Sequence, residues 1–444
     1  MRLSTRKLLD KSFSGLGFFS LLLMCAALAV ILIPIVLKGS SAFIFKETVE
    51  RREFMLENYD RGDADAIQKE LARAKEARKP VYEILKEYEE SLGWGDLKER
   101  EKLKDIKDKI RNILGPLPGD AEKPLPRDQY GQTRWDRAQA HLDDLLCRTE
   151  YKFPDPNAMG VPVKVARKED YKGTPLAPLF DQMENNLDKM LRPQWTFYWR
   201  FLFDMPSDSY FFGGIWPSVL GTIYLAFGSM IIAAPVGVIS AIYLTQYAGD
   251  GPLIRLLRTC ISTLAGVPSI VFGLFGLAFF IHALHVSKGP SVLVGCLTLA
   301  ALVLPTIIRA SEEAIKAVPR TYKEASLSLG ATRWRTIVKV LLPAALPGII
   351  TSIIISVGRA AGETAPILFT AAVMLGDPLT PMETLSQPSP ALPANLYALV
   401  AVHEAVEEVR HVQFGMALTL IVLVLLLNLA AVVLRARISK KLRT

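Results

Sequence analysis

The sequence predicts an all-α membrane protein with six transmembrane helices and a mostly helical extracytoplasmic insertion after the first span. Composition is the first reason: 50% of the 444 residues are hydrophobic and mean hydropathy is positive, too apolar for an ordinary soluble chain of this length. The second is that the apolar residues are blocked into runs at about 18–37, 212–245, 259–286, 290–308, 344–375 and 412–434. Each approaches or exceeds the ~20 residues that a helix needs to cross a bilayer. The third is a charged, helix-patterned segment of quite different character between the first and second runs.

Lys and Arg close to the runs set the orientation, because cytoplasmic flanks retain positive charge. Arg2, Arg6, Lys7 and Lys11 precede the first run, Arg255 and Arg258 follow the second, seven basic residues from Arg309 to Lys339 follow the fourth, and five from Arg435 to Arg443 end the chain. The alternate loops, around 287–290 and 376–411, hold only Lys288 and Arg410. Both termini are therefore expected in the cytoplasm. The net charge of +8 follows from this topology and gives no sign of nucleic-acid binding. The first run is read as a retained anchor: its apolar stretch exceeds the 7–15 residues of a cleaved signal core, although "KGSSA" follows at 38–42. The expected organisation is an N-terminal tail and anchor over 1–40, an extracytoplasmic, mostly helical domain over 41–205, and a membrane core over 206–444.

Within 41–205, "DADAIQKELARAKEARKPVYEILKEYEESL" and "LKEREKLKDIKDKIRNIL" are helical in period and rich in Glu–Lys spacings of three or four, which reads as solvated helices. A Pro-rich connector, "GPLPGDAEKPLPRD", separates them from "TRWDRAQAHLDDLL" and from an irregular stretch containing "VPVKVARKEDY". The aromatic cluster "RPQWTFYWRFLFDMP" then leads back towards the membrane interface, where Trp and Tyr concentrate. No catalytic pattern is visible in this domain.

The chemistry usually sought in a sequence is missing elsewhere too. Cys25, Cys260 and Cys296 lie in apolar runs and Cys147 stands alone, so there is neither a disulfide framework nor metal-binding spacing. His282 and His285 share a helical face but lack a nearby carboxylate or thiol. No G-x-x-x-x-G-K-[ST] phosphate loop occurs, so the chain is not expected to hydrolyse ATP.

The informative cytoplasmic stretch is "VPRTYKEASLSLGATRWRTIVKVLLPAALPG" over 318–348. Thr321 and Glu324 have capping-box spacing, and Gly330 is placed where a helix would stop in a left-handed conformation. A second short helix is expected from Thr332 to Pro343, making a compact two-helix knob. Glu324, Ala325 and Gly330, with Leu342-Pro343 after the proper gap, resemble the EAA loop of ABC-importer permeases; Ser326 and Val340 are mild departures from its common pattern. The resemblance implies a type I ABC-importer permease core, and a knob that seats in a groove of a separate ATPase subunit.

Three further stretches, "GVPSIVFGLFGLAFF" at 266–280, "LPTIIRASEEAIKAVPR" at 304–320 and "GRAAGETAPILFTAA" at 358–372, resemble PstA-like permease subunits of bacterial phosphate importers. The likeness covers roughly 210–435, and the large outer domain matches only the N-terminally extended members. It implies a multi-pass subunit of the bacterial cytoplasmic membrane, coupling ATP hydrolysis by its partners to phosphate translocation. Those partners would be a second permease subunit, two ATP-binding subunits and an extracytoplasmic phosphate-binding protein. The chain would bind no cofactor itself.

Two places in the membrane core invite a physical reading. Pro268 removes a backbone donor and disfavours helix at Val267, so a break is expected there. Such a break can be a packing kink, or it can create a half-helix whose N-terminus, with Ser269 capping or donating, faces an anion in the substrate path. Arg359 and Glu363 lie four apart in an apolar run, where each charge costs roughly 2.5 to 3.5 kcal/mol on insertion scales. They are either a structural ion pair or part of the substrate pathway, with Arg359 holding phosphate oxygens and Glu363 occupying Arg359 when the site is empty. Gly358 and Gly362, also four apart, would let a neighbouring helix approach. Another tetrahedral oxyanion (sulfate, molybdate or phosphonate) suits the same guanidinium. A membrane sensor or scaffold is a remoter alternative, since it would need a cytoplasmic output domain.

Overall fold

The structure, a computed structural model, describes residues 3–92, 97–120, 125–152, 161–249, 251–403 and 405–443. Arg2 and positions 121–124 of the Pro-rich connector lie outside the described residues. The chain divides into two compact units, one formed by Met1–Ala42 with Arg200–Thr444 and the other by Phe43–Trp199.

The first unit opens with α1 (Leu3–Ser40). The second unit follows: β1 (Ile44–Glu47), α2 (Val49–Tyr59), α3 (Ala64–Ser91), α4 (Leu97–Leu114), α5 (Pro126–Tyr130), α6 (Trp135–Leu146), β2 (Cys147–Lys152), β3 (Val161–Ala166), α7 (Ala177–Leu191) and β4 (Gln194–Phe197). Asp63 starts α3 by accepting hydrogen bonds from the backbone N–H groups of Asp65 and Ala66. Apolar residues recurring at helical spacing then meet in one core, with Val81 and Leu85 from α3, Ile106 and Ile110 from α4, and Met183 and Leu187 from α7. Beside it, the buried Arg78 guanidinium contacts the Glu50 carboxylate and donates to the carbonyls of Leu114 at 3.2 Å and Met190 at 2.8 Å. Removing one partner of such a buried pair strands a charge, at about 3–5 kcal/mol.

Two features of this unit depart from expectation. The stretch read as irregular contains β3, which pairs antiparallel with β2 from Cys147↔Ala166 to Lys152↔Val161. In addition, β1 pairs with β4 from Ile44↔Phe197 to Glu47↔Gln194, so the chain enters and leaves the unit on one ladder. Neither pairing shows in a local pattern, because each joins segments whose partners are set by the tertiary fold.

The first unit resumes with α8 (Trp216–Ile242), α9 (Pro252–Leu264), α10 (Ser269–Gly276), α11 (Val292–Lys316), α12 (Arg320–Ser328), α13 (Arg333–Thr336), α14 (Leu342–Gly362), α15 (Ala365–Thr370), α16 (Leu392–Ala401) and α17 (Arg410–Arg443). Among the described residues, five helices are long and apolar enough to cross a membrane: Ser12–Ser40, Trp216–Tyr247, Val292–Lys316, Arg333–Gly362 and Arg410–Ile438. The sixth candidate is a bent pair, Pro252–Leu264 with Ser269–Ala283, meeting at 103°. Helix α11 is the packing centre, lying against α8 and α14, while α17 packs on α14 and α1. The apolar windows of α1 and α17 are otherwise uncovered, as suits helices facing lipid.

Proline chemistry explains how these helices differ from the expected runs. Pro268 stands as the N-cap of α10 with φ −56° and ψ 137°, so the run at 259–286 breaks into two helices at the expected place. The run at 344–375 ends as a helix at Gly362, because Pro366 has no N–H to donate to the Gly362 carbonyl. Pro343, by contrast, ends nothing. A π turn at Ile337–Leu341 precedes it, with the Leu342 N–H bonded to the Ile337 carbonyl, and the helix continues unbroken from Arg333 to Gly362. The loop at 376–411 also contains α16, whose Asn395 amide donates to the Tyr210 hydroxyl at 2.5 Å and to Ser218 Oγ at 2.8 Å.

Candidate functional site

Arg359 lies in the last turn of α14, where a cation also complements the negative end of the helix dipole. Glu363 is the residue after the helix, at φ −74° and ψ 127°. The two therefore straddle a helix end instead of standing on one continuous helix, yet their side chains still meet, with Arg359 Nε donating to Glu363 Oε1 at 3.3 Å. That is the only hydrogen bond that the Arg359 side chain makes among the described residues; the terminal nitrogens of its fork are left available. The Arg359 side chain is 44% exposed and that of Glu363 18%. The backbone beneath is fixed, because the adjacent Ala360 is buried in a cluster with Met230 of α8, Phe272 of α10 and Val303 of α11.

Helix α17 comes close on the other side. A Cβ added to Gly358 would sit 3.0 Å from Asn428 Oδ1, whereas one added to Gly362 would meet nothing within 4 Å. Only the first of the two glycines thus serves a close helix approach. Between α14 and α17 lies an open groove of about 380 Å³ whose lining includes Gly358, Arg359, Asn428, Val432 and Arg435. Ser269 is not part of it. Ser269 is half-buried at the first position of α10, and Pro268 holds the cap position, so the expected capping role of Ser269 is not realised. Pro268 starts the helix with its own fixed φ, which leaves Ser269 inside the first turn. Asn428 escaped the sequence reading, and Arg435 entered it only as part of a basic flank. The available signal was a lone amide in the run "VLLLNLAAVVL", seven residues before Arg435.

The second site is the knob after α11. Helix α12 starts at Arg320 with Pro319 as its N-cap, so Thr321 falls within the first turn and forms no capping box with Glu324. Its C-terminus is as expected: Gly330 has φ +80°, the Gly330 N–H bonds to the Leu327 carbonyl at 2.9 Å, and the Ala331 N–H to the Ser326 carbonyl at 3.2 Å. Thr332 then caps α13 by accepting from the Arg335 N–H at 3.3 Å. Ser326, one of the two departures from the EAA pattern, braces the knob through its hydroxyl, 2.9 Å from that of the buried Thr336. Lys323 Nζ ties α12 to the end of the second span by donating to Gln246 Oε1 at 2.8 Å.

No residue of α12 is buried, and Glu324 and Ala325 are both exposed. Tyr322 and Trp334 are exposed as well, and Leu329 is 89% exposed. Apolar side chains held outward on a braced knob make a surface suited to a protein partner.

Residues 233–444 match the family described as "Binding-protein-dependent transport system inner membrane component". The chain is 36% identical over 243 residues to the "Probable ABC transporter permease protein YqgI" of Bacillus subtilis, covering 52% of this chain and 80% of that protein. The chain belongs to this permease family. It is also 36% identical over 234 residues to the "Phosphate transport system permease protein PstA 1" of Mycobacterium tuberculosis, covering 52% of this chain and 73% of the relative. An inward-facing structure of the MetNI methionine ABC transporter aligns over 51% of this chain and 94% of its own, at 21% identity and a TM-score of 0.39. The permease is thus a PstA-like, multi-pass inner-membrane subunit. It is a transport component, and the description of its family names binding-protein-dependent transport.

Proposed function

We propose that this permease carries inorganic phosphate inward, with Arg359 and Glu363 in the substrate path and Glu324, Ala325 and Gly330 in the contact that couples transport to ATP hydrolysis. The observation that carries the reading is a half-exposed guanidinium, placed where a membrane-spanning helix ends, that gives one donor to its carboxylate neighbour and keeps its fork free. A charge so placed faces a partner or a water-filled path rather than lipid. Ser269, at the start of α10, belongs to the same proposed path as a hydroxyl donor. The PstA-named relatives favour phosphate over other oxyanions. The assembly proposed is this chain with a second permease subunit, two ATP-binding subunits and an extracytoplasmic phosphate-binding protein. ATP is consumed by the partners, and this chain binds no cofactor of its own.

Substrate choice is tested by competition. Cells lacking other phosphate importers should take up radiolabelled phosphate through the complex, and excess sulfate or molybdate should leave uptake unchanged. Displacement of phosphate by either anion would move the assignment to that oxyanion.

The proposed orientation puts residues 41–205 and 376–411 outside and both termini, with 309–345, in the cytoplasm. An impermeant thiol reagent added to intact cells is expected to label a Cys placed at Lys104 and to spare one placed at Arg333. The reverse labelling would invert the topology.

A further inference from the structure

We propose that the groove between α14 and α17 extends the anion path beyond Arg359, with the Asn428 amide and the Arg435 guanidinium as its next binding groups. This rests on reading Arg359 as a transport residue. The first observation is Asn428 itself, placed in a run of leucines, alanines and valines and making no side-chain hydrogen bond among the described residues. An amide without a partner is costly in an apolar span, so its place beside Gly358 calls for something to bind. The second is alignment. Asn428, Val432 and Arg435 recur at helical spacing on α17 and face Gly358 and Arg359 of α14 across one groove.

Charge decides what the groove would hold. Two guanidinium groups line it among the aliphatic side chains of Ile354, Ile355 and Val424, no carboxylate does, and Arg435 has no ion-pair partner among the described residues. The amide supplies N–H donors and each guanidinium a fork matched to the oxygens of a tetrahedral anion. Seven residues of helix separate Asn428 from Arg435, about 10 Å along the axis. An oxyanion released by Arg359 therefore meets the amide first and a second cation further on. Several moderate sites in series favour passage, because no single one holds the ion too tightly.

The test uses the complete transporter in cells lacking other phosphate importers, with uptake of radiolabelled phosphate expressed per complex recovered from the membrane. Asn428→Asp keeps the size of the side chain but sets a carboxylate against the anion, and uptake should fall at least about tenfold. Asn428→Leu, which suits a lipid-facing or packed helix better than Asn does, should still lose uptake severalfold. Arg435→Lys keeps the charge that orients the helix and should lower uptake a few fold through loss of the fork. Normal uptake per complex in Asn428→Asp and Arg435→Lys, alongside a dead Arg359→Gln, would overturn this extension while leaving the Arg359 site in place. A loss explained wholly by less complex in the membrane would make Asn428 a helix-packing residue and also overturn it. Normal uptake in Arg359→Gln would remove the underlying transport reading along with the extension.

Discussion

Arg359→Gln is expected to abolish phosphate uptake while leaving the permease in the membrane at its normal level. The substitution removes the charge and the fork but keeps much of the stem and a polar tip. If the Arg359–Glu363 contact were only structural, little would follow. It is a single 3.3 Å hydrogen bond on a side chain that is 44% exposed, and exposed pairs typically contribute about 0.2–1 kcal/mol. So weak a contact does not explain two charges in an apolar segment, each costing several times that amount to insert. The proposed oxyanion recognition would explain them, because the unused nitrogens of the fork are the ones that bind two oxygens at once.

Two companion variants separate charge from geometry. Arg359→Lys should recover uptake only in part, since an ammonium is a point charge without the planar fork. Glu363→Gln should slow turnover, because the carboxylate no longer competes with the anion for Arg359. The measurement is radiolabelled phosphate uptake by cells lacking other phosphate importers. Wild-type transport by Arg359→Gln would reduce the pair to a structural contact.

Local chemistry made part of this site legible in the sequence. The break at Pro268 and the left-handed turn at Gly330 were both expected, since each follows from the backbone of one residue. The spans were legible for a similar reason, as hydropathy is summed over a window and does not depend on neighbours. What was hidden depends on which helices meet. Gly358 and Gly362 are indistinguishable by spacing, yet only Gly358 lies against α17, and the two helices concerned are about 70 residues apart in the chain. Helix α16 and the β1–β4 ladder were hidden likewise, because their partners come from distant segments. The Thr321–Glu324 spacing was misleading because Pro319 starts the helix earlier than a capping box would.

Gly330→Val is expected to cut the ATP hydrolysis that phosphate-loaded binding protein stimulates in the assembled complex, with membrane insertion intact. At φ +80° an L residue is strained by roughly 1–2 kcal/mol, and a β-branched one is a poor occupant of that region. A Cβ at this position would touch nothing within 4 Å, so the effect is conformational rather than steric. Gly330→Asn, which tolerates the left-handed region, should therefore keep most of the stimulation. The strain falls on a knob whose two halves are joined by the Ser326–Thr336 hydroxyl contact, and relief would shift the exposed Glu324 and Ala325 away from the ATPase. Glu324→Lys should correspondingly weaken co-purification of the ATPase subunit. The consequence would reach the proposed anion site through one element: the helix from Arg333 to Gly362 runs unbroken past Pro343 and carries Arg359 26 residues, about 39 Å, from its start. A knob moved by ATP binding to its partner would thus move the turn that holds Arg359. Normal stimulation in Gly330→Val, with the variant complex fully assembled, would remove Gly330 from the coupling contact.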